Sequence, residues 1–198
     1  MRSNIIKIAL ALAAFGLSFW LYRIIQAPIE FNNKHKVRKE RVIDKMMNIR
    51  TAQLAFKVAN GNYSDNFDEL LSFADTGRIL IIQTRDSTYE AMNQVYQIME
   101  IRDTIVYDTL GYVGVKDSLF KDVDVYSLRY IPFAKNKTEF EMDAGRITQA
   151  GDLKVQVFEI IARKELWMKG MDKALISTNA DDLIIGSMNE ATISGNWQ

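Results

Sequence analysis

The sequence predicts an α+β protein with an N-terminal transmembrane helix and a long amphipathic helix packed on an antiparallel β-sheet. Three observations support this fold class: an uncharged apolar run near the N-terminus, a following segment with apolar residues at every third or fourth position, and short alternating runs later in the chain. The 198 residues suffice for one domain and an anchor. We predict a transmembrane anchor at residues 1–27, a basic juxtamembrane stalk at 28–41 and an α+β domain at 42–198.

The predicted anchor is the apolar segment from Ile5 to Ile25. Its charged residues, Lys7 and Arg23, lie near its two ends, where their side chains would reach the membrane interfaces. A helix of this length spans about 30 Å, which matches the hydrocarbon core of a bilayer. Trp20 and Tyr22 near one end are typical of the aromatic belt at the interface.

A cleaved signal sequence is the alternative, because a basic start and a short apolar run are also typical of one. No small-x-small cleavage motif follows the run in LYRIIQAPIEF, which favours an uncleaved anchor. By the positive-inside rule, the basic residues at 34–41 would pull the domain toward the cytoplasm, whereas a short basic N-terminus followed at once by the span is typical of a signal anchor. We adopt a single-pass protein of a bacterial inner membrane with its soluble domain in the periplasm.

A second helix is predicted from about Asn33 to Ala59, after Pro28 has ended the spanning helix. The segment Asn33–Arg41 is almost wholly polar and is expected to project as a stalk. The rest of the helix has one apolar face, which we interpret as packing on the sheet, with a coiled-coil or partner surface as the alternative. This face comprises Val42, Met46, Ile49, Ala52, Phe56 and Ala59.

Beyond this helix, Asn60-Gly61-Asn62 provides a stop signal. A short helix should follow, with Asn66 as its cap and Glu69 completing a capping box. Ile79–Ile82 is predicted to be a buried strand and Gln83–Gln94 a loop, whereas Val95–Tyr107 fits either a strand or a helix.

The second half of the chain is predicted to form an antiparallel meander with one face on the long helix. Its strands are expected at Val123–Ile131, Glu139–Met142 and Val155–Ile161. Turns are expected at Pro132, near residues 135–137 and at 150–152. The end of the chain has a small apolar cluster at 183–185 and then a polar tail.

The sequence indicates no catalytic, cofactor-binding or metal-binding residues. There is no cysteine, and the single histidine, His35, excludes a multi-histidine metal site. The segment Gly111–Ser118 lacks the spacing of a Walker loop and is interpreted as a hairpin turn. The acidic residues Asp122, Asp124, Asp181 and Asp182 lack a calcium-loop pattern and are interpreted as solvated turn residues.

Two further features limit the partners that the chain could have. Trp167 and Met168 are interpreted as core residues, with an exposed contact surface as the alternative. Eight of the 25 basic residues lie within residues 1–41, so residues 42–198 are mildly acidic and nucleic acid is not expected to bind.

The order of features over residues 5–75 resembles the type II secretion pseudopilins and the type IV pilins. The resemblance rests on the apolar helix and on the segments Ile49–Phe56, Asn60–Tyr63 and Phe67–Leu71. The same stretch is similar to uncharacterised single-span proteins of Bacteroidota. The resemblance implies a long helix packed on a small antiparallel sheet. The chain differs from pilin precursors because Gly16 is followed by leucine and no acidic residue precedes Glu30.

The predicted function is that of a non-enzymatic envelope protein, a structural or scaffolding component of a secretion or envelope-assembly complex. Its expected partners are the lipid bilayer, through residues 5–25, and other envelope proteins, with a homo-oligomer left open. Two alternatives are kept. One is a ligand-binding or enzymatic periplasmic domain with a groove between helix and sheet, and the other is a polymerising pseudopilin.

Overall fold

The computed structural model describes residues 2–93 and 95–197, and it has an α+β architecture. The helices are α1 (Arg2–Asn60), α2 (Phe67–Thr76), α3 (Val115–Leu119), α4 (Lys164–Trp167) and α5 (Lys173–Asn179). The strands are β1 (Arg78–Asn93), β2 (Ile98–Gly114), β3 (Glu141–Gln149), β4 (Leu153–Ala162) and β5 (Leu183–Gly186). The strands form two antiparallel sheets, β1-β2 and β3-β4-β5.

Helix α1 carries the apolar segment at its N-terminal end. Its stretch Leu10–Asn60 contains an 18-residue window of mean hydropathy 1.4, and no part of that window is buried inside the protein. The helix is therefore long and apolar enough to cross a membrane. This agrees with the predicted anchor.

The predicted break at Pro28 is wrong, because α1 continues through this proline without interruption. A proline removes one backbone hydrogen bond from a helix, but it does not have to end the helix when flanking turns hold it. The predicted spanning and amphipathic helices are consequently one helix of 59 residues. At 1.5 Å per residue its length is about 90 Å.

The core begins earlier on α1 than expected. Phe31 is buried. The side chain of Arg38 donates hydrogen bonds to the carbonyl oxygens of Trp167, at 3.2 Å, and of Lys169, at 2.9 Å. The segment 28–41, which was expected to be a stalk, thus packs on the domain from Phe31 onward. The sequence hid this contact because it joins residues about 130 positions apart.

The predicted apolar face of α1 is confirmed as the centre of the core. Val42, Met46, Ile49 and Ala52 are fully buried, whereas Ala59 is exposed at the end of the helix. Helix α2 begins after Asn66, as predicted, and the Asn66 side chain accepts a hydrogen bond from the Asp68 amide at 2.8 Å. The reciprocal half of the predicted capping box is not formed. Glu69 instead accepts from the Ser64 hydroxyl at 3.0 Å.

The turn between α1 and α2 is held by Gln53, which is fully buried. Its amide nitrogen donates to the Ser64 carbonyl oxygen at 2.6 Å, and its amide oxygen accepts from the Ser64 backbone N–H at 3.0 Å. Both backbone groups of a buried residue are therefore satisfied by one side chain. This pair of bonds fixes the angle at which α2 leaves the long helix.

The three-stranded sheet comes from the second half of the chain. Strand β4 is the central strand, and it pairs with β3 from Glu141↔Ile161 to Gln149↔Leu153 and with β5 from Glu159↔Gly186 to Ala162↔Leu183. The predicted strand at 155–161 and the turn at 150–152 are confirmed. Phe158 and Ile160 of β4 are fully buried, and the ring of Tyr63 lies 4.6 Å from that of Phe158.

The predicted strand at 123–131 is wrong, because this segment forms a 3₁₀ turn at Val125–Ser127 and one isolated bridge, Tyr130↔Glu139. Three of its apolar residues, spaced three positions apart, lie in the core instead: Val125, Leu128 and Ile131. The ammonium group of Lys45 on α1 donates to the carbonyl oxygens of Ser127, at 2.6 Å, and Tyr130, at 3.1 Å. In a strand these two carbonyl oxygens would accept hydrogen bonds from a neighbouring strand, whereas here they accept them from a side chain of the long helix.

Candidate interaction surface

The most prominent exposed feature is a long two-stranded ribbon formed by β1 and β2. The pairing runs from Arg78↔Gly114 at the base to Asn93↔Ile98 at the tip. Sixteen residues of extended chain measure about 50 Å at about 3.3 Å per residue. The loop predicted at 83–94 is wrong, because residues 83–93 belong to β1. Of Ile79–Ile82, predicted to be buried, only Ile79 packs against the core.

The base of the ribbon is tied to the domain next to α2. The backbone N–H of Val115 donates to the Gly77 carbonyl oxygen at 2.9 Å, and Lys116 forms an ion pair with Asp75 at 2.5 Å. The Lys116 side chain lowers the pKa of the Asp75 carboxyl. The hairpin turn predicted at 111–118 is wrong, since these residues end β2 and form α3. Gly111, with φ +151°, follows an irregularity in the pairing at Ile81/Ile82.

The tip of the ribbon is closed by Asn93. Its side-chain oxygen accepts hydrogen bonds from the backbone N–H groups of Val95, at 2.9 Å, and Tyr96, at 3.2 Å. Gln97 has φ +51°, and its N–H donates to the Asn93 carbonyl oxygen at 2.8 Å. Asparagine suits this position because its short side chain bonds to the backbone a few residues ahead.

One face of the ribbon, which we call the polar face, carries charges that are paired with one another, together with the exposed side chains of Ile81, Tyr89 and Ile98. Residues that are paired across the strands share a face, and alternate residues along a strand do too. On this polar face Arg85 forms an ion pair with Asp108 at 3.0 Å, and Arg102 pairs with Glu100 at 2.5 Å. Asn93 and Arg102 bond to Glu100 and thereby lower the pKa of its carboxyl. The polar face is thus well suited to contact with water.

The opposite face carries exposed apolar side chains on both strands near the two ends of the ribbon and on β2 through its middle, where β1 has Thr84, Asp86, Thr88 and Glu90. We call it the apolar face, and its apolar side chains have exposed fractions between 38% and 72%. These are Leu80, Ile82 and Met92 from β1 and Met99, Ile101, Ile105, Tyr107 and Tyr112 from β2. Three carboxylates, Asp86, Glu90 and Asp103, share this face, and none of them takes part in an ion pair among the described residues.

The apolar side chains in this row are unusually exposed. Monomeric soluble proteins seldom expose a contiguous apolar patch larger than a few hundred Å². An isolated two-stranded hairpin is also only marginally stable in water, and stability normally requires a third strand or a packed face. The alternation from Met99 to Tyr107 is visible in the sequence and is typical of a strand with one buried face. In this fold the intramolecular core does not cover that face.

Other concave regions offer weaker sites. A cavity of about 480 Å³ next to α4 and α5 is lined by Lys164, Lys169 and Lys173 together with Met171 and Ile176. Another concave region, of about 890 Å³, lies along the middle of the ribbon. It is lined by residues of β1 and β2, so a ligand there would be enclosed on one side. Among the described residues, no group of three or more His, Asp and Glu side chains is placed to hold a metal ion.

The single histidine lies in an aromatic stack. The ring of His35 is 6.0 Å from that of Phe31 and 5.4 Å from that of Trp167. Partial burial lowers the pKa of His35, and the positive charge of Lys39 lowers it further. The described structure shows no hydroxyl group or carboxylate bonded to this ring, so the arrangement is that of a packing residue.

The other residues considered from the sequence lie apart from the ribbon. Trp167 and Met168 are fully buried, so their interpretation as core residues is confirmed. Asp182 accepts a hydrogen bond from the Lys164 backbone N–H at 2.7 Å and holds the start of α4. Asp122, Asp124 and Asp181 are exposed.

Comparison with known proteins gives no relative: no family model, no curated protein and no solved structure matches the chain. The resemblance to pilins and pseudopilins therefore stays a prediction.

Proposed function

We propose that this chain is a non-enzymatic, membrane-anchored envelope protein that acts as a structural or scaffolding component of a secretion or envelope-assembly complex. We further propose that it binds its protein partners through the apolar face of the ribbon. The observation that carries this proposal is the exposed row of apolar side chains on a ribbon about 50 Å long. Such a row serves association and has no use in a solvated monomer.

The long helix supports the proposal because it joins the apolar segment to the domain without a hinge. Helix α1 runs unbroken from the candidate span to the buried Met46 and Ile49. Contacts made by the domain are therefore held near the membrane, where tethering raises the local concentration of partners. Even modest contacts would then suffice to hold a complex together.

The cellular location belongs to the same proposal. The basic N-terminus ahead of the span supports an orientation with the domain in the periplasm of a cell with an inner membrane. The long helix, the turn at Asn60-Gly61 and the antiparallel three-stranded sheet support a pilin-like architecture. Gly16 is followed by leucine in place of the phenylalanine of pilin precursors, and no acidic residue precedes Glu30, so we propose an anchored protein and not a filament subunit.

The test is to compare complexes extracted in mild detergent from cells that make the full chain. We expect the Ile105→Glu variant to lose co-purifying envelope proteins while keeping the thermal unfolding midpoint of the wild type. The Ile49→Asp variant should unfold the domain, because it places a carboxylate in the fully buried centre of the core. Unchanged complexes with Ile105→Glu, or loss of folding with that variant, would contradict the proposed division of roles.

A matched control is available on the same strand. Val106 is also β-branched and adjacent to Ile105, but it lies on the polar face. The Val106→Glu variant should keep its complexes. Protease protection of the domain in intact cells, with loss of protection after the outer membrane is opened, tests the periplasmic location separately.

A further inference from the structure

We infer that the cavity next to α4 and α5 binds the headgroup of an anionic phospholipid in the membrane that holds the anchor. This surface lies apart from the ribbon, and lipid binding there goes beyond the proposed scaffolding function. It rests on that function only for the anchoring of the chain, because the span is what brings the cavity close to a bilayer.

The long helix holds this cavity near the membrane-proximal end of the domain. The side chain of Arg38 on α1 donates to the Lys169 carbonyl oxygen at 2.9 Å, which ties the segment between α4 and α5 to the helix. Gly170 and Met171 line both the cavity and a second concave region, whose other wall is α1 between Glu30 and Arg38. The cavity therefore borders the part of α1 that follows the span.

The distance from the span to this part of α1 is short. Glu30 follows Ile25, the last residue of the predicted span, by five positions, and Arg38 follows it by thirteen. At 1.5 Å per residue these separations are about 8 and about 20 Å along the helix axis. Headgroups extend about 5–7 Å beyond the hydrocarbon core, and their potential reaches about 8 Å further in physiological salt. Cationic side chains at this height lie within reach of anionic headgroups.

The cavity carries the charge that an anionic headgroup requires. Its lining contains the ammonium groups of Lys164, Lys169 and Lys173 and one carboxylate, that of Glu165, so positive charge is in excess by two. Lys169 and Lys173 are exposed, and neither takes part in an ion pair within the described part of the chain. Lys164 donates to the Ala180 carbonyl oxygen at 2.9 Å and keeps two further N–H donors. Phosphate oxygens are suitable acceptors for these donors.

The neighbouring concave region lacks this excess of positive charge. Its lining has two cations, Lys34 and Arg38, and two carboxylates, Glu30 and Asp172. Lys34 is already paired with Glu30 at 2.6 Å. An anion is therefore expected in the cavity and not in the region beside it.

The size and the apolar lining of the cavity suit a lipid headgroup. Its volume of about 480 Å³ is typical of a small-molecule site. Met171 and Ile176 also line it, and they can contact the glycerol and the first methylene groups of a phospholipid. Nucleic acid needs an extended basic surface, whereas residues 42–198 are mildly acidic. An anionic phospholipid matches both the charge of the cavity and its position near a bilayer.

Acetylation of lysines by acetic anhydride, followed residue by residue with mass spectrometry, tests the site on the full native chain. The chain is placed in phosphatidylcholine nanodiscs with or without phosphatidylglycerol. We expect phosphatidylglycerol to slow the acetylation of Lys169 and Lys173 about fivefold, the factor that one lysine at an anionic surface contributes to binding. Lys154, which is exposed on β4, and Lys36, which is exposed on α1 outside the cavity, should change less than about twofold.

The outcomes separate a headgroup site from other sources of protection. Equal slowing at Lys36 would show a general surface potential and overturn the site. Equal slowing by inorganic phosphate in nanodiscs of phosphatidylcholine alone would show a free-anion site and overturn the lipid as its occupant. Unchanged rates at Lys169 and Lys173 would overturn the inference.

Charge reversal gives an independent measurement with a matched control. The variant with both Lys169→Glu and Lys173→Glu should retain about tenfold less phosphatidylglycerol than the wild type after purification in mild detergent. Its thermal unfolding midpoint should be unchanged because both side chains are exposed. The Lys154→Glu variant should retain the wild-type amount, and equal retention by all three proteins would overturn the lipid site.

Failure of the lipid site and failure of the proposed function can be told apart. If lipid retention does not depend on Lys169 and Lys173 but Ile105→Glu still releases envelope proteins, the lipid site is overturned and the proposed function stands. A full chain that does not enter nanodiscs would overturn the anchoring, and the lipid site with it.

Discussion

Replacing Gln53 by leucine should destabilise the domain more than its modest change in volume suggests. Gln53 is fully buried on α1 and Ser64 is 2% exposed. The Gln53 amide group makes two hydrogen bonds, of 2.6 and 3.0 Å, to the carbonyl oxygen and N–H of Ser64. The Gln53→Leu variant removes both bonds and leaves two buried backbone groups without partners.

The expected loss follows from the typical cost of unsatisfied buried groups. A buried donor or acceptor that loses its partner costs about 1–3 kcal/mol. Two such groups would cost about 4 kcal/mol, and burial of the leucine side chain would offset about 1 kcal/mol of this. We therefore expect the free energy of unfolding to fall by about 3 kcal/mol. The control is Thr51→Val, since the Thr51 hydroxyl donates within the same helix to Met47 and its loss should cost less than about 0.5 kcal/mol.

The measurement is urea unfolding of the full chain in non-ionic detergent, followed by tryptophan fluorescence. Trp167 is fully buried in the domain core and should report its unfolding. With a urea dependence of about 2 kcal/mol per molar, a loss of about 3 kcal/mol moves the midpoint down by about 1.5 M. Urea midpoints of Gln53→Leu and Thr51→Val that agree within error would show that the Gln53–Ser64 hydrogen bonds do not stabilise the domain.

Two further predictions concern the core. Because burial and Lys39 lower the pKa of His35 in the folded state, stability should be level above the unfolded pKa of about 6.5 and should fall as the pH drops toward the folded pKa. His35→Phe should remove that part of the pH dependence, as measured by unfolding midpoints between pH 5 and 8; identical profiles for the two proteins would contradict it. Gly186→Ala should lower stability by more than about 3 kcal/mol, because φ is +77° and the added Cβ would overlap with the Phe158 carbonyl oxygen. The control is Gly151→Ala, where φ is +82° and an added Cβ would meet no atom within 4 Å, so the loss of stability should be only about 1 kcal/mol. Thermal unfolding of both variants measures this difference, and equal losses would contradict a steric cause.

The residues of the candidate interaction surface were partly readable in the sequence. Met99, Ile101, Ile105 and Tyr107 follow a period of two, but Ile98 and Val106 interrupt it, so residues 95–107 fitted either a strand or a helix. The other strand was missed because residues 83–93 are mostly polar. Their extended conformation is stabilised by pairing with β2 and by cross-strand contacts such as that of Arg85 with Asp108, which the segment itself does not encode.

The exposure of the apolar face to solvent could not be predicted from the alternation of apolar and polar residues. An alternating strand predicts that one face is covered, but it does not say whether the cover comes from the same chain. In β4 the same type of alternation leads to Phe158 and Ile160, which α1 and its neighbours bury completely. In β2 it leads to Ile101, which is 72% exposed. The difference arises from packing on the face of each sheet, since Phe158 and Ile160 belong to the hydrophobic core, whereas of the ribbon's apolar residues Ile79 at its base packs against that core.

The elements with local signals could be predicted from the sequence: the apolar span, the apolar face of α1, the Asn66 cap and strand β4. Local signals suffice there because side-chain periodicity and capping bonds act within a few residues. Other outcomes depend on three-dimensional packing. Helix α1 continues through Pro28, Phe31 is buried in the core and Ile101 is exposed. These outcomes depend on which distant surfaces meet, and burial of apolar area is a property of the assembled packing and not of any one segment.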